Sequence, residues 1–401
     1  MLPLGFRVGG IKSNICKNND KIDLSLFISD VSASTAIVFT KNIVKAAPIL
    51  VNINKLKNNK NFFGVIANSG CANACTGVKG IEDAEKICFT VEKLFNLPEN
   101  SILCASTGII GQYLNIKDDS FWQSVSNLKT SIGTSLQNEN TAILGIMTTD
   151  KVIKKSERII KLPNNKNITI WGCVKGAGMI HPNMTNTLHA TMLSFILTDA
   201  KLESSVLQKI LEDSINQSFN NISVDGDTST NDTVIALANG QSNSNELSGT
   251  LLHKFVTSFN EVTLDLAKSI VNDGEGATKF IEIEVKNAKT HKEAKLVAST
   301  VATSPLFKTA MFGSNANWGR IIAAAGRAGV YFDINKVEIS IGNIKMFKNG
   351  NIVNFSDKLI KDFLLEKEIK ILIDIKEGNK STKYYTCDFS YEYININGKY
   401  T

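Results

Sequence analysis

The sequence predicts a mixed α/β (α+β) protein of layered sheets and helices, with a smaller unit near its C-terminal end. Three observations carry this. Helical periodicity and strand-like runs coexist without strict alternation, no internal repeat or low-complexity linker separates them, and 401 residues exceed what one small core organises. Hydrophobic residues make up 43% and charged residues 20%, which is ample apolar material for two cores of ordinary size.

Taken in turn, Ile81 to Phe95 places Ala84, Ile87, Cys88, Val91, Leu94 and Phe95 along one side of a helix. The same period predicts helices over Leu202–Phe219, striped by Val206, Leu207, Ile210, Leu211 and Ile215, and over Leu251–Val271, striped by Phe255, Phe259, Val262, Leu266 and Ile270. Strands are expected at Phe62–Ala67, Met192–Leu197, Thr233–Ala238, Phe280–Val285, Val337–Ile341 and Ile369–Ile375. The stretch from about Asn315 carries its own helix and strands, and a C-terminal subdomain is expected there.

The net charge of +6 is spread thinly over a Lys- and Asn-rich chain, which argues against a nucleic-acid surface. The run NINKLKNNKN from Asn52 reads as a solvated loop. Seven cysteines form neither a CxxC pair nor a Cys/His metal spacing, so neither a disulfide framework nor a metal site is expected, and Cys71 and Cys75 read as small buried residues. MLPLGFRVGG lacks the charged-then-apolar pattern of a secretory signal, and no run approaches the ~18 apolar residues of a membrane span. The expectation is a soluble cytoplasmic protein.

Between the elements lie loops of small and polar residues: NSGCANACTG from Asn68, ASTGIIG from Ala105, KGAGMIHPNM from Lys175, SVDGDTSTND from Ser223, NDGEGATK from Asn272 and GSNANWGR from Gly313. A single such loop reads as a turn. Six of them point to a pocket for a small polar or carboxylate-bearing ligand, because small residues admit close backbone approach and present N–H groups to anions.

The common machineries are missing: no P-loop, no GxGxxG, no HExxH, and only four histidines. Thr191, in His-Ala-Thr-Met-Leu, reads on its own as the start of a core strand. It becomes a nucleophile only if the Ala190–Thr191 bond is cut, since a free α-amino group of pKa ~7.7–8 then serves as its base.

Together these motifs resemble the ornithine acetyltransferase (glutamate N-acetyltransferase) family of arginine biosynthesis. The resemblance covers the whole chain, from GFRVGGIKSNI through NSGCANACTG, ASTGIIG, MTTD, KGAGMIHPNM, ATMLSFILTDA, SVDGDTSTND, DGEGATK and NANWGRI to INGKYT. It implies a fold of the N-terminal-nucleophile-like type and self-cleavage into an α chain, residues 1–190, and a β chain, residues 191–401, assembling as two α and two β chains. It also implies that Thr191 carries acetyl from N2-acetylornithine to glutamate, and in some members from acetyl-CoA as well, with no cofactor. Thr107 and Gly108 correspond to the family's oxyanion hole. Lys175, Glu275, Asn397, Thr401, Thr191 itself and either Thr148 or Thr149 correspond to its substrate-binding residues. SVDGDTSTND and NANWGRI read as scaffolding, with Trp318 and Ile321 packing.

Two features depart from the family. Thr185 to His189 intervene between KGxGMIxPNM and ATML, and INGKYT is one residue shorter than the usual tail. Thr185 is the rival nucleophile, although only Thr191 leads into MLSFIL. Two other classes share parts of this pattern: an N-terminal-nucleophile amidase or aminopeptidase that passes the acyl group to water, and an amino-acid-binding protein that does not cut itself.

Overall fold

The computed structural model describes residues 1–15, 21–163, 166–185 and 192–399. The chain forms two compact units. The first comprises Met1–Gly176, Pro182–Asn220 and Thr228–Ile270, and the second Ala177–His181, Asn221–Asp227 and Val271–Thr401.

The first unit is built on one mixed sheet. Its strands run, edge to edge, Ile102–Ser106, Asn61–Asn68, Leu24–Thr40, Thr233–Ala238, Leu193–Thr198, Asn167–Lys175 and Lys154–Lys161, with Phe6–Ile11 and Met184–Thr185 also paired to Leu24–Thr40. Side chains of a strand alternate between faces, and both faces are covered here. Leu24, Leu26, Ile66, Ile102 and Cys104 enter one core with Ala84, Ile87, Cys88 and Val91 of the helix Gly77–Leu94. Phe27, Val65, Leu103, Trp171, Phe195 and Leu237 enter another on the opposite face. This double burial explains why the strands read as continuous apolar runs.

The three expected helices form as Gly77–Leu94, Ser204–Gln217 and Gly249–Asn272. The six expected strands form within three residues of their predicted ends. The Asn52 segment is a correction: it lies largely within the helix Ala47–Asn58. Asn52 is buried, donating through its amide to the Cys104 carbonyl at 2.7 Å and accepting the Cys104 N–H at 3.0 Å. Buried Lys55 donates to the Ile102 carbonyl at 2.6 Å, with Glu92 at 3.6 Å. Polar residues that read as solvated therefore splice this helix to the strand behind the ASTGIIG loop. Cys75 is a second correction, since it is exposed at a positive φ of 59° while Cys71 is buried.

The second unit is a sheet ordered Asn351–Ile352, Ile344–Lys348, Glu338–Ile341, Glu368–Asp374, Phe280–Ala288, Lys380–Cys387 and Ile222–Ser223. Its core draws on Ile281, Ile283 and Val285 of one strand, Val297 and Val301 of the helix His291–Ala302, and Ile321, Ile369 and Ile371. That helix starts in a reciprocal cap between Thr290 and Glu293. Residue 315 falls inside this unit, because one core joins elements on both sides of it. Ile321 is fully buried and Trp318 stacks on Phe347 at 5.1 Å, both as packing residues. Among the described residues no helix is long and apolar enough to cross a membrane.

Candidate active site

In the first unit the ASTGIIG loop leaves the strand Ile102–Ser106 and locks onto the NSGCANACTG loop. Thr107 N–H donates to the Asn68 carbonyl at 3.0 Å and Ile109 N–H to the Gly70 carbonyl at 3.2 Å. Between them Gly108 sits at φ 131°, and a Cβ there would lie 2.2 Å from the Gly70 carbonyl carbon. Only glycine permits this approach. Asn231, from SVDGDTSTND, ties the two loops together by donating to the carbonyls of Ala72 at 2.6 Å and Ser106 at 2.8 Å.

Lys175, at the end of the strand Asn167–Lys175, is 5% exposed rather than a surface charge. Its ammonium donates to Thr107 Oγ1 at 3.0 Å and Thr148 Oγ1 at 2.8 Å. Of the two threonines in MTTD, Thr148 is thus the one beside the lysine, while Thr149 is half-buried in the same turn. Asp150 closes this turn. Its carboxylate accepts Lys154 Nζ at 2.6 Å, Gly176 N–H at 2.6 Å and Thr148 N–H at 3.0 Å. Burial pushes its pKa up, but Lys175, Lys154 and the Gly176 N–H outweigh burial and hold it at about 2.

In the second unit Glu275 is 5% exposed. Its N–H donates to the Ala177 carbonyl at 2.8 Å, and its carboxylate accepts the Asn397 amide at 2.8 Å. A Cβ on Gly178 would meet that carboxylate at 2.3 Å, so glycine is required for the side chain to rest there. Asp225 fastens the same loop by accepting Met179 N–H at 2.5 Å and Ile180 N–H at 2.9 Å. Burial raises its pKa to about 6.

Of the expected residues, Thr107, Gly108, Thr148 and Lys175 come together in the first unit, and Glu275 with Asn397 in the second. Ala190, Thr191 and Thr401 lie outside the described residues. Met192, next to Thr191 in sequence, is buried, its carbonyl accepting Thr233 N–H at 2.7 Å, and Leu193 pairs in register with Lys175. The backbone of the rival Thr185 is committed to a ladder with Phe39. The sequence reading missed Asp150, Asp225 and Asn231 as site-building residues. Each lies inside a quoted motif, but its partners are scattered along the chain.

A family model described as the ArgJ family matches residues 7–401. The chain belongs to the ArgJ family. Its relatives include the arginine biosynthesis bifunctional proteins ArgJ of Caldanaerobacter subterraneus subsp. tengcongensis, 42% identical over 100% of this chain and 97% of the relative. That of Thermotoga neapolitana is 40% identical over 100% and 99%. A crystal structure of the arginine biosynthesis bifunctional protein argJ from Bacillus halodurans is 41% identical, with a TM-score of 0.51 over 52% of this chain and 100% of that one.

Proposed function

We propose that this protein is an acetyltransferase of arginine biosynthesis, moving acetyl from N2-acetylornithine to glutamate and also accepting acetyl-CoA, as the bifunctional names of its relatives suggest. The observation that carries the reading is the buried Lys175 ammonium spanning two threonine hydroxyls, one of them next to the positive-φ turn at Gly108. Self-cleavage after Ala190 frees the Thr191 amino group as general base. The Thr191 hydroxyl adds to the acetyl carbonyl, and the resulting oxyanion rests on the Gly108 N–H and the Thr107 hydroxyl. Collapse breaks the C–N bond, ornithine leaves with the proton taken from Thr191, and acetyl-Thr191 remains for the α-amine of glutamate to attack. Lys175 and Thr148 serve the substrate carboxylate. Glu275, with Asn397 behind it, serves the amino group of ornithine, and Thr401 completes the substrate-binding residues. The reading extends to an α chain, residues 1–190, and a β chain, residues 191–401, assembled two and two, and to a cytoplasmic location.

A denaturing gel tests this first. Wild-type protein is expected as two bands near half the intact mass, and Thr191→Ala as one intact band. A single wild-type band refutes self-cleavage. With labelled acetylornithine, label should appear in N-acetylglutamate, and its release as free acetate would favour an amidase instead.

A further inference from the structure

We infer that Asp150 is a positioning residue of the oxyanion hole, acting through Thr148 and Lys175 on the Thr107 hydroxyl; this rests on the acetyl-transfer reading above. One carboxylate holds the backbone at two points that matter to the Lys175 side chain. Through Oδ2 it accepts the N–H of Thr148, the residue whose hydroxyl takes one Lys175 hydrogen bond. Through Oδ1 it accepts the N–H of Gly176, the residue that follows Lys175. The Asp150 side chain is fully buried (0% exposed), as is that of Lys154 (1%), so this clamp is rigid and shielded from water. A carboxylate serving only as the counter-ion of Lys154 needs neither backbone bond.

The consequence falls on Thr107. An ammonium has donors and no acceptor, so both threonine oxygens must accept from Lys175. The Thr107 proton therefore points away from Lys175, and the adjacent cation strengthens it as a donor. A hydroxyl so prepared suits a tetrahedral oxyanion, whose stabilisation depends on donors fixed before charge develops. Thr107 is also held through its backbone, to Asn68, so the hydroxyl is anchored from both ends. Lys175 reaches it at 3.0 Å only if Gly176 and Thr148 stay where Asp150 puts them. Asparagine at position 150 matches aspartate in shape but offers a single acceptor oxygen. Its amide N–H₂ would then face either an N–H or an ammonium, and one arm of the clamp opens.

The test is a double-mutant cycle on the full self-cut enzyme, with Thr107→Val, Asp150→Asn and the pair, rates being counted per cut chain. Thr107→Val is expected to lower kcat by ~10²–10³, and Asp150→Asn to lower kcat by ~10–10² in addition to any rise in KM through the carboxylate contacts of Lys175 and Thr148. In kcat the double variant should then be within about threefold of Thr107→Val alone, because Asp150 acts on the chemical step only through that hydroxyl. Losses that multiply, or an Asp150→Asn effect confined to KM, overturn the inference. Should Asp150→Asn fail to accumulate as folded protein, Thr148→Val replaces it in the same cycle, read in kcat alone because Thr148 also serves the substrate carboxylate, with the same non-additivity in kcat expected and multiplied kcat losses again overturning it. Wild-type protein lacking acetyl transfer would instead sink the underlying reading, and this inference with it.

Discussion

Asp150 and Asp225 make an instructive pair. The Asp150 side chain is fully buried and Asp225 is half-buried; both lie in Gly- and Thr-bearing loops, and both accept N–H groups from the segment that starts at Gly176. Their pKa values nevertheless lie far apart, at about 2 for Asp150 and about 6 for Asp225. Burial raises both. Two lysines, Lys175 and Lys154, reverse its effect on Asp150, whereas at Asp225 the main opposition comes from backbone N–H groups, with Asp227 adding repulsion. Buried Lys308 feels Asp225, yet it spends its hydrogen bonds on Thr386 Oγ1 and the Cys387 carbonyl. Backbone donors alone therefore do not keep a buried carboxylate strongly acidic; nearby cations do. One region is built to keep its charges, and the other to hold a loop at some electrostatic cost.

Three substitutions break or sharpen this contrast. The largest effect is expected from Lys175→Met, which removes the cation from both threonine hydroxyls and from the neighbourhood of Asp150. Acetyl transfer should fall by ~10³ in kcat/KM, measured by steady-state assay, and a loss below tenfold would exclude Lys175 from the chemistry.

Next comes Asp225→Asn. A folded-state pKa of about 6 lies above the ordinary 3.8, so folding favours the protonated acid. The stability Asp225 contributes is full below about pH 4 and is lost as pH rises through 6, by up to about 3 kcal/mol. Asparagine should abolish that pH dependence, seen as the difference between wild-type and variant urea midpoints from pH 4 to 8. Asp150 has the opposite sign, its contribution being present above about pH 4 and lost as pH falls toward 2. A wild-type-minus-variant difference that stays constant across the Asp225 window would show that its burial carries no such cost.

The smallest effect is expected from Gly178→Ala, which sets a methyl group 2.3 Å from the Glu275 carboxylate. KM for acetylornithine should rise about tenfold with kcat nearly unchanged, equivalent to about 1.4 kcal/mol of binding. An unchanged KM would remove Glu275 from substrate binding.

Much of the fold was legible from local pattern. The helices over Gly77–Leu94, Ser204–Gln217 and Gly249–Asn272 and the core strands announce themselves because burial of one stripe or of a whole strand leaves a periodic signature. Asn52 and Lys55 were misread for the complementary reason. A polar side chain satisfied by Cys104 or Ile102, some fifty residues away, looks the same in sequence as one satisfied by water.

The sequence by itself determined the family, through the order and spacing of its Gly-, Ser- and Thr-rich motifs, and with it the focus on Thr191, Thr107, Gly108 and Lys175. Only the tertiary structure decided which of Thr148 and Thr149 faces Lys175, that Lys175 and Glu275 are buried, and that Asp150 and Asp225 hold opposite electrostatic positions. Motif order is a one-dimensional property. Protonation and hydrogen bonding depend on distance and desolvation, and those are fixed only when the Lys175 ammonium is brought to 3.0 Å from the hydroxyl of Thr107 and 2.8 Å from that of Thr148, residues far from it along the chain.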